Sequence, residues 1–304
     1  MRKTQFRSYI VVFMLPALIV YTVFLIYPLI GSLGLSFFAE FPGGERSFVG
    51  LENFRRLLGD DQWSSGFWNA FRNNFLFFLI HLAVQNPVGL ILASLLATPR
   101  LAGRNTYRAI LFMPTMLSVV VVGFIWQLIL SPIWGVTEGF LSGIGLQNLF
   151  APYLGLRSTA LATLSLISTW QFYGIPMMLF YIALISIPRE LLESARVDGA
   201  GQWKIFWKIK FPLILPVFGI TAILTFVGNF NAFDLIYTTQ GVLAGPDYST
   251  DILGTFFFRT FFGQQLQLGN PVMGATVAAM MFLTVLSGVL LYMFWKRRIK
   301  TYEF

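Results

Sequence analysis

The chain is 304 residues long, 56% hydrophobic and only 11% charged, where a soluble domain carries about 25% charge. It has no cysteine and a single histidine, His81. Disulfides, thiolate metal sites and multi-histidine metal sites are therefore excluded, and little is left for a catalytic constellation. The net charge of +8 would by itself admit a nucleic-acid partner. The placement of the basic residues argues for membrane topology instead, with no nucleic acid.

A bilayer-spanning helix needs roughly 20 apolar residues, and six stretches qualify in chain order. The first lies in 8–39, uncharged throughout and preceded by Arg2, Lys3 and Arg7. It is too long for a signal peptide and is read as a retained span. The second is near 73–97, the third 109–130, the fourth 158–187, the fifth 211–233 and the sixth 272–295. The segments 39–72, 131–157 and 234–271 read as outer loops, with turn punctuation at Pro42-Gly43-Gly44 and Gly245-Pro246. Pro16, Pro28, Pro87, Pro114, Pro176 and Pro216 fall in or near spans, where freed backbone groups must be re-satisfied by neighbours, and they predict kinked helices. The whole chain, 1–304, reads as one transmembrane domain.

Positively charged loops stay in the cytoplasm. With a cytoplasmic N-terminus, every lysine and most arginines fall inside, among them Arg100, Arg104 and Arg108, then Arg189 to Lys210, then Lys296 to Lys300. Most acidic residues fall outside. The expectation is an all-α membrane protein with six transmembrane helices and both termini cytoplasmic.

The segment 188–212 sits between the fourth and fifth spans, charged and amphipathic. Pro188 suits the first turn of a helix. Arg189 to Val197 suits a short helix in which Leu191, Leu192, Ala195 and Val197 pack. Gly199 suits a left-handed helix end. A second helical piece runs from Trp203 to Ile209, closed by Pro212 before the fifth span. The expected product is two short helices joined by a glycine elbow, a compact knob able to transmit force. From the residues alone, an amphipathic helix lying in the headgroup layer is an equal reading, its aromatic rings at the interface and its lysines on anionic lipid.

Polar residues inside spans are expensive and face a cavity or another helix. The candidates are His81, Gln85 and Asn86 on the second span, Trp170, Gln171, Tyr173 and Gly174 on the fourth, and Asn229 and Asn231 on the fifth. Amide groups and aromatic faces together suit sugar hydroxyls and ring C–H surfaces. A lone Asn or Gln also serves as glue between helices, and His81 suits interhelical packing. No intramembrane carboxylate occurs except Asp234 at the rim, which weakens proton coupling.

Glu193-Ser194-Ala195-x3-Gly199-x9-Ile209-x-Phe211-Pro212 resembles the loop by which the membrane subunit of a bacterial ABC importer docks on its ATPase. In that family the loop reads Glu-Ala-Ala-x3-Gly-x9-Ile-x-Leu-Pro. Phe48 to Phe54, Phe67 to Ala70, Arg108 to Pro114 with Trp126, Asn229 to Asp234, and Gly245-Pro246 resemble carbohydrate-type permeases. The opening, Leu15-Pro16-Ala17 through Tyr27-Pro28, resembles the first permease of the glycerol-phosphate and maltose-type group.

The resemblance implies a type I ABC importer permease fold in a bacterial plasma membrane, surrounded by membrane lipid. It implies a sugar or related polyol as cargo, and alternating access driven by separate ATPase subunits. The implied partners are a second permease subunit, two ATPase subunits and an extracytoplasmic solute-binding protein. No cofactor is implied. Glu193, Ser194, Ala195, Asp198 and Gly199 would contact the ATPase or form the elbow. Trp170, Gln171, Tyr173, Gly174, Met177, Asn229 and Asn231 would line the substrate pathway. Tyr173, Gly174, Met177, Asn229 and Ala232 match sugar-contacting positions of the maltose-type relative, and the apolar Met177 and Ala232 point away from maltose itself. No Gly-x4-Gly-Lys-Ser/Thr run occurs, so nothing in the chain can cradle ATP phosphates. The chain is therefore expected not to be an enzyme. A secondary transporter or channel for a small polar solute is the alternative, although neither repeats nor midplane charges favour it.

Overall fold

The structure, a computed structural model, describes residues 8–40, 46–98, 101–264 and 267–298. Arg2, Lys3, Arg7, Arg100 and Lys300, on which part of the orientation reading rests, and the turn Pro42-Gly43-Gly44 lie outside these residues. The fold is helical. In chain order come α1 (Val12–Leu35), a hairpin of β1 (Phe38–Glu40) and β2 (Arg46–Phe48), α2 (Glu52–Gly59) and α3 (Asp61–Leu96). Next are α4 (Arg104–Met116), α5 (Val119–Ile129), α6 (Val136–Gly143), α7 (Ala160–Phe172) and α8 (Gly174–Ile185). Then follow α9 (Arg189–Val197), α10 (Gln202–Phe230), α11 (Asp234–Gln240), α12 (Leu253–Phe262), the short pair β3 (Gly263–Gln264) and β4 (Gln267–Leu268), and α13 (Pro271–Lys296).

Among the described residues, α1, α3, α10 and α13 are each unbroken and apolar enough to cross a membrane. The third and fourth expected spans are bent pairs. α4 and α5 meet at 93°, and α7 and α8 at 44°. At the first bend Pro114 lies in a 3-10 turn, and Leu117 and Ser118 are extended. The second span was expected near 73–97, but α3 starts at Asp61. Hydropathy registers apolar length, whereas the helix continues outward as an amphipathic segment that buries Phe67 and Ala70.

Two expected kinks, at Pro28 and Pro87, and the expected closure at Pro212 are absorbed. Thr22–Ile26, His81–Gln85 and Phe206–Lys210 are π-helical, and each ends two residues before a proline: Pro28, Pro87 and Pro212. A proline in a helix lacks an N–H and its ring clashes with the carbonyl four residues back. The residue before each proline instead donates five residues back, Tyr27 to Thr22, Asn86 to His81 and Phe211 to Phe206. The wider turn accommodates the ring and the helix continues. The expected closure at Pro212 is thus corrected: α10 runs through it, so the second half of the 188–212 segment is the start of a span.

The described residues up to Ser65 form one compact unit with Phe257–Phe282. There Asn53 on α2 donates to the carbonyls of Ser36 and Phe38, both at 2.8 Å, tying the hairpin to the helix. Gly274 lets α13 pass so close to Phe261 that a Cβ would stand 2.6 Å from the Phe261 Cβ.

The second unit, Gly66–Phe256 with Leu283 onward, holds two apolar cores. In one, Leu90, Ala93 and Leu96 of α3 pack on Met177, Phe180, Tyr181 and Leu184 of α8 and on Ile214 of α10. Gly89 permits this approach, since a Cβ there would lie 2.9 Å from the Met177 nitrogen. In the other, Val122, Leu164 and Ile167 pack on Leu235 and Ile236 of α11 and on Ile252. Asn73 and Asn74 of α3 hold the loop before α12: Asn73 donates to the Asp251 carbonyl at 3.0 Å, and Asn74 accepts from the Leu253 N–H at 3.1 Å.

Candidate functional site

Two features of the second unit carry chemistry: an elbow over residues 188–202 and a cavity between the spans. The elbow begins at Pro188, extended at ψ 135°, which starts α9. α9 ends in a Schellman motif. Gly199 takes φ +78°, its N–H donates to the Arg196 carbonyl at 3.0 Å, and the Ala200 N–H reaches back to Ala195 at 2.9 Å. A left-handed residue at this position is usually glycine, which has no Cβ to oppose it.

The five residues read as ATPase-docking positions occupy α9 and its end. Ala195 is buried; Glu193, Ser194 and Asp198 are exposed, with the Ser194 hydroxyl donating to the Leu191 carbonyl at 3.1 Å. The inner side of the elbow is anchored, because Leu192, Phe206 and Phe211 pack against the Leu90 to Ile214 core. Leu191 and Val197, expected to pack, do not. Val197 is 88% exposed and Trp203 76%. The elbow therefore presents a charged and apolar outer face on a backbone fixed from within.

The cavity encloses about 320 Å3. α3 contributes Phe77, His81 and Gln85; the α7–α8 segment contributes Ser168, Phe172, Ile175, Pro176 and Leu179; α10 contributes Thr221, Thr225 and Asn229. Asn231, Phe233 and Asp234 also line it, and Asp234 is the sole carboxylate of the lining, which holds no lysine or arginine. The lining threonines are occupied within their own helix: Thr221 donates to the Phe218 carbonyl and Thr225 to that of Thr221, each at 2.8 Å. The Asn229 carbonyl accepts from Asn74 at 2.9 Å, which fixes the end of α10. Asn231 donates to the Val227 carbonyl at 2.9 Å.

Of the seven expected pathway residues, Asn229 and Asn231 line the cavity. Trp170, Gln171, Tyr173, Gly174 and Met177 do not. Trp170 sits edge-on to Trp126 at 5.6 Å. Met177 lies in the core under α3. Tyr173 marks the bend between α7 and α8. Gln171, 1% exposed, stitches the two bent spans together: its side-chain amide donates to the Leu117 carbonyl at 3.0 Å and its backbone carbonyl accepts from the Thr115 hydroxyl at 2.9 Å. Gly174 allows that approach, because a Cβ there would meet the Thr115 oxygen at 2.6 Å. These groups satisfy the backbone that a broken helix leaves open in lipid. The segment was legible in the sequence, but the residues facing the cavity are its neighbours, Ser168, Phe172 and Pro176. His81, read as interhelical packing, stands at the cavity, while Asn86 lies behind it and donates to Thr225 at 3.5 Å.

Apolar helices gathered around a mainly apolar cavity that carries amides and one carboxylate, with a rigid polar elbow between two of them, suit a membrane transport subunit. Residues 85–300 match the family described as binding-protein-dependent transport system inner membrane component, and the chain belongs to that family. It is a multi-pass inner membrane protein and a transport component, not an enzyme. It is 31% identical over 276 residues to a probable ABC transporter permease protein, YurN, of Bacillus subtilis, covering 90% of this chain and 91% of that one. It is 28% identical over 280 residues to the trehalose/maltose transport system permease protein MalF of Thermococcus litoralis, covering 92% and 90%. In fold it is similar to a chain of a bacterial ABC transporter involved in import of the acidic polysaccharide alginate, with TM-score 0.81, 24% identity and 97% of each chain covered. The fold is that of a type I ABC importer permease.

Proposed function

We propose that this chain is the permease subunit of an ATP-binding-cassette importer for a sugar or related polyol, and that residues 188–212 dock it on a separate ATPase. Each bent pair counts as one span, giving six, with both termini in the cytoplasm. A second, distinct permease subunit, two ATPase subunits and an extracytoplasmic solute-binding protein complete the assembly. ATP-driven closure of the ATPase pair pushes the elbow, and the spans alternate between inward-open and outward-open.

The observation that carries this reading is the elbow itself. Glu193 and Asp198 are exposed on a helix whose end is fixed by Gly199 at φ +78°, and the following helix is the span α10 without interruption. A push on α9 is therefore passed to α10 and, through Leu192, to the core of α3 and α8. An interfacial helix would not need that fixed end. The cargo class is supported by cavity walls that hold no lysine or arginine and where amides and aromatic rings occur together, and by a relative named for trehalose and maltose transport.

The test is co-purification of the tagged chain from its native membrane, followed by mass spectrometry and uptake assays. A second permease and an ATPase are expected alongside it. Glu193→Lys is expected to abolish ATP-driven uptake while the chain still inserts. Recovery of the chain alone, or full uptake by the variant, overturns the docking assignment.

A further inference from the structure

We infer that His81 selects a substrate hydroxyl in this cavity, its Nε2 accepting a hydrogen bond from a neutral sugar in transit. The inference rests on the sugar reading above. His81 Nδ1 lies 2.7 Å from the Phe77 carbonyl oxygen. A carbonyl only accepts, so Nδ1 carries the proton, and in a neutral imidazole the lone pair is then on Nε2. The ring is held in this pose by Phe77, whose centroid is 4.4 Å away.

His81 is 1% exposed, and its Nε2 is buried without a hydrogen-bond partner among the described residues. Buried polar groups in native structures are paired, and an orphan acceptor lining a cavity points to a partner that arrives from the cavity. Gln85, also on the lining, is one turn further along the same π-helical stretch. The threonines that share the wall have already given their protons to their own helix. The free polar capacity is thus an imidazole acceptor with the amides of Gln85 and Asn229, flanked by the rings of Phe77, Phe172 and Phe233. That combination suits a solute with many hydroxyls and C–H faces. A lone pair on His81 and the carboxylate of Asp234 both repel an anion, so the site favours a neutral saccharide over an acidic one.

The experiment uses the complex co-purified with its native partners and binding protein, reconstituted in proteoliposomes. Uptake of radiolabelled trehalose, maltose and lactose identifies the best-carried sugar, and monodeoxy and monodeoxyfluoro analogues of it are then compared. The wild type is expected to carry one deoxy analogue at least about tenfold more slowly than the parent, as sites built to bind a hydroxyl do. In His81→Phe that particular discrimination disappears, while discrimination at the other hydroxyls remains. His81→Gln, which returns an acceptor near the Nε2 position, restores it. Because the binding protein is the same throughout, the ratio between variants isolates the permease. His81→Leu repeats the comparison in case the Phe variant fails to assemble. Identical analogue profiles in wild type and the assembled acceptor-less variants overturn the His81 assignment and leave the sugar reading standing. Absence of uptake of every sugar by the wild-type complex overturns both.

Discussion

The elbow at Gly199, between the fourth and fifth expected spans, contrasts with the paired bends at Leu117–Ser118 and Tyr173, which fall within expected spans. The elbow is closed locally. Its open carbonyls, Ala195 and Arg196, accept from Ala200 and Gly199, a few residues on. The bends are closed remotely. The Leu117 carbonyl takes its proton from Gln171, and Thr115 gives its own to the Gln171 carbonyl, across 54 and 56 residues of chain. A local closure can be read from spacing and lets the elbow behave as a rigid unit. A remote closure exists only once two spans have met, and it makes the bent segments depend on each other.

Breaking the elbow should have the largest effect. Gly199→Pro fixes φ near −65° where the chain needs +78° and removes the N–H given to Arg196. ATP-driven uptake should be lost and the ATPase should no longer co-purify, while membrane insertion is kept. Next, Gly174→Val should force apart the contact at Thr115 and Phe112. Overpacking of this kind costs about 1–3 kcal/mol, seen as a lower midpoint in detergent thermal unfolding. Gln171→Leu keeps the volume and deletes the side-chain bond to Leu117, while the Thr115 hydroxyl keeps its bond to the backbone carbonyl of residue 171. The Leu117 carbonyl is left unpaired at a cost of about 1–3 kcal/mol, and an unchanged unfolding midpoint would show that this half of the remote closure is dispensable. The smallest effect is expected for Val197→Ser. At 88% exposure the change should alter stability by less than about 0.5 kcal/mol yet weaken ATPase association, which pull-down with the partner subunit measures. Together these variants separate a feature that works by shape and contact from one that works by holding two helices in register.

Prolines extend the contrast. Pro87 and Pro212 were expected to kink or close helices, yet both are passed by a π turn. Pro114 lies at a true bend. The residue type is the same, and the difference is whether the chain beyond it can resume the same axis. For Pro114 it cannot, because Leu117 and Ser118 are extended and α5 packs through Val122 on Leu235 and Ile236. Local propensity sets the possibility, and the packing of the next helix decides it.

The sequence by itself determined the membrane class, the positions of the apolar segments, and the elbow down to its glycine. Each of these depends on apolar length or on bonds within a few residues, quantities that spacing encodes. It also located the segments that approach the cavity, near residues 81–86, 170–177 and 229–234. Only the tertiary structure decided which face of each segment lines it. Ser168, Phe172 and Pro176 face the cavity while Gln171, Gly174 and Met177 face a neighbouring helix. The spans around the cavity are apolar on nearly every side and carry almost no amphipathic stripe to mark an inner face. Side-chain roles there are set by close approach between helices distant in the chain, at Gly89 and Gly174 above all, and by the hydrogen bonds that a bent helix must find from its neighbour.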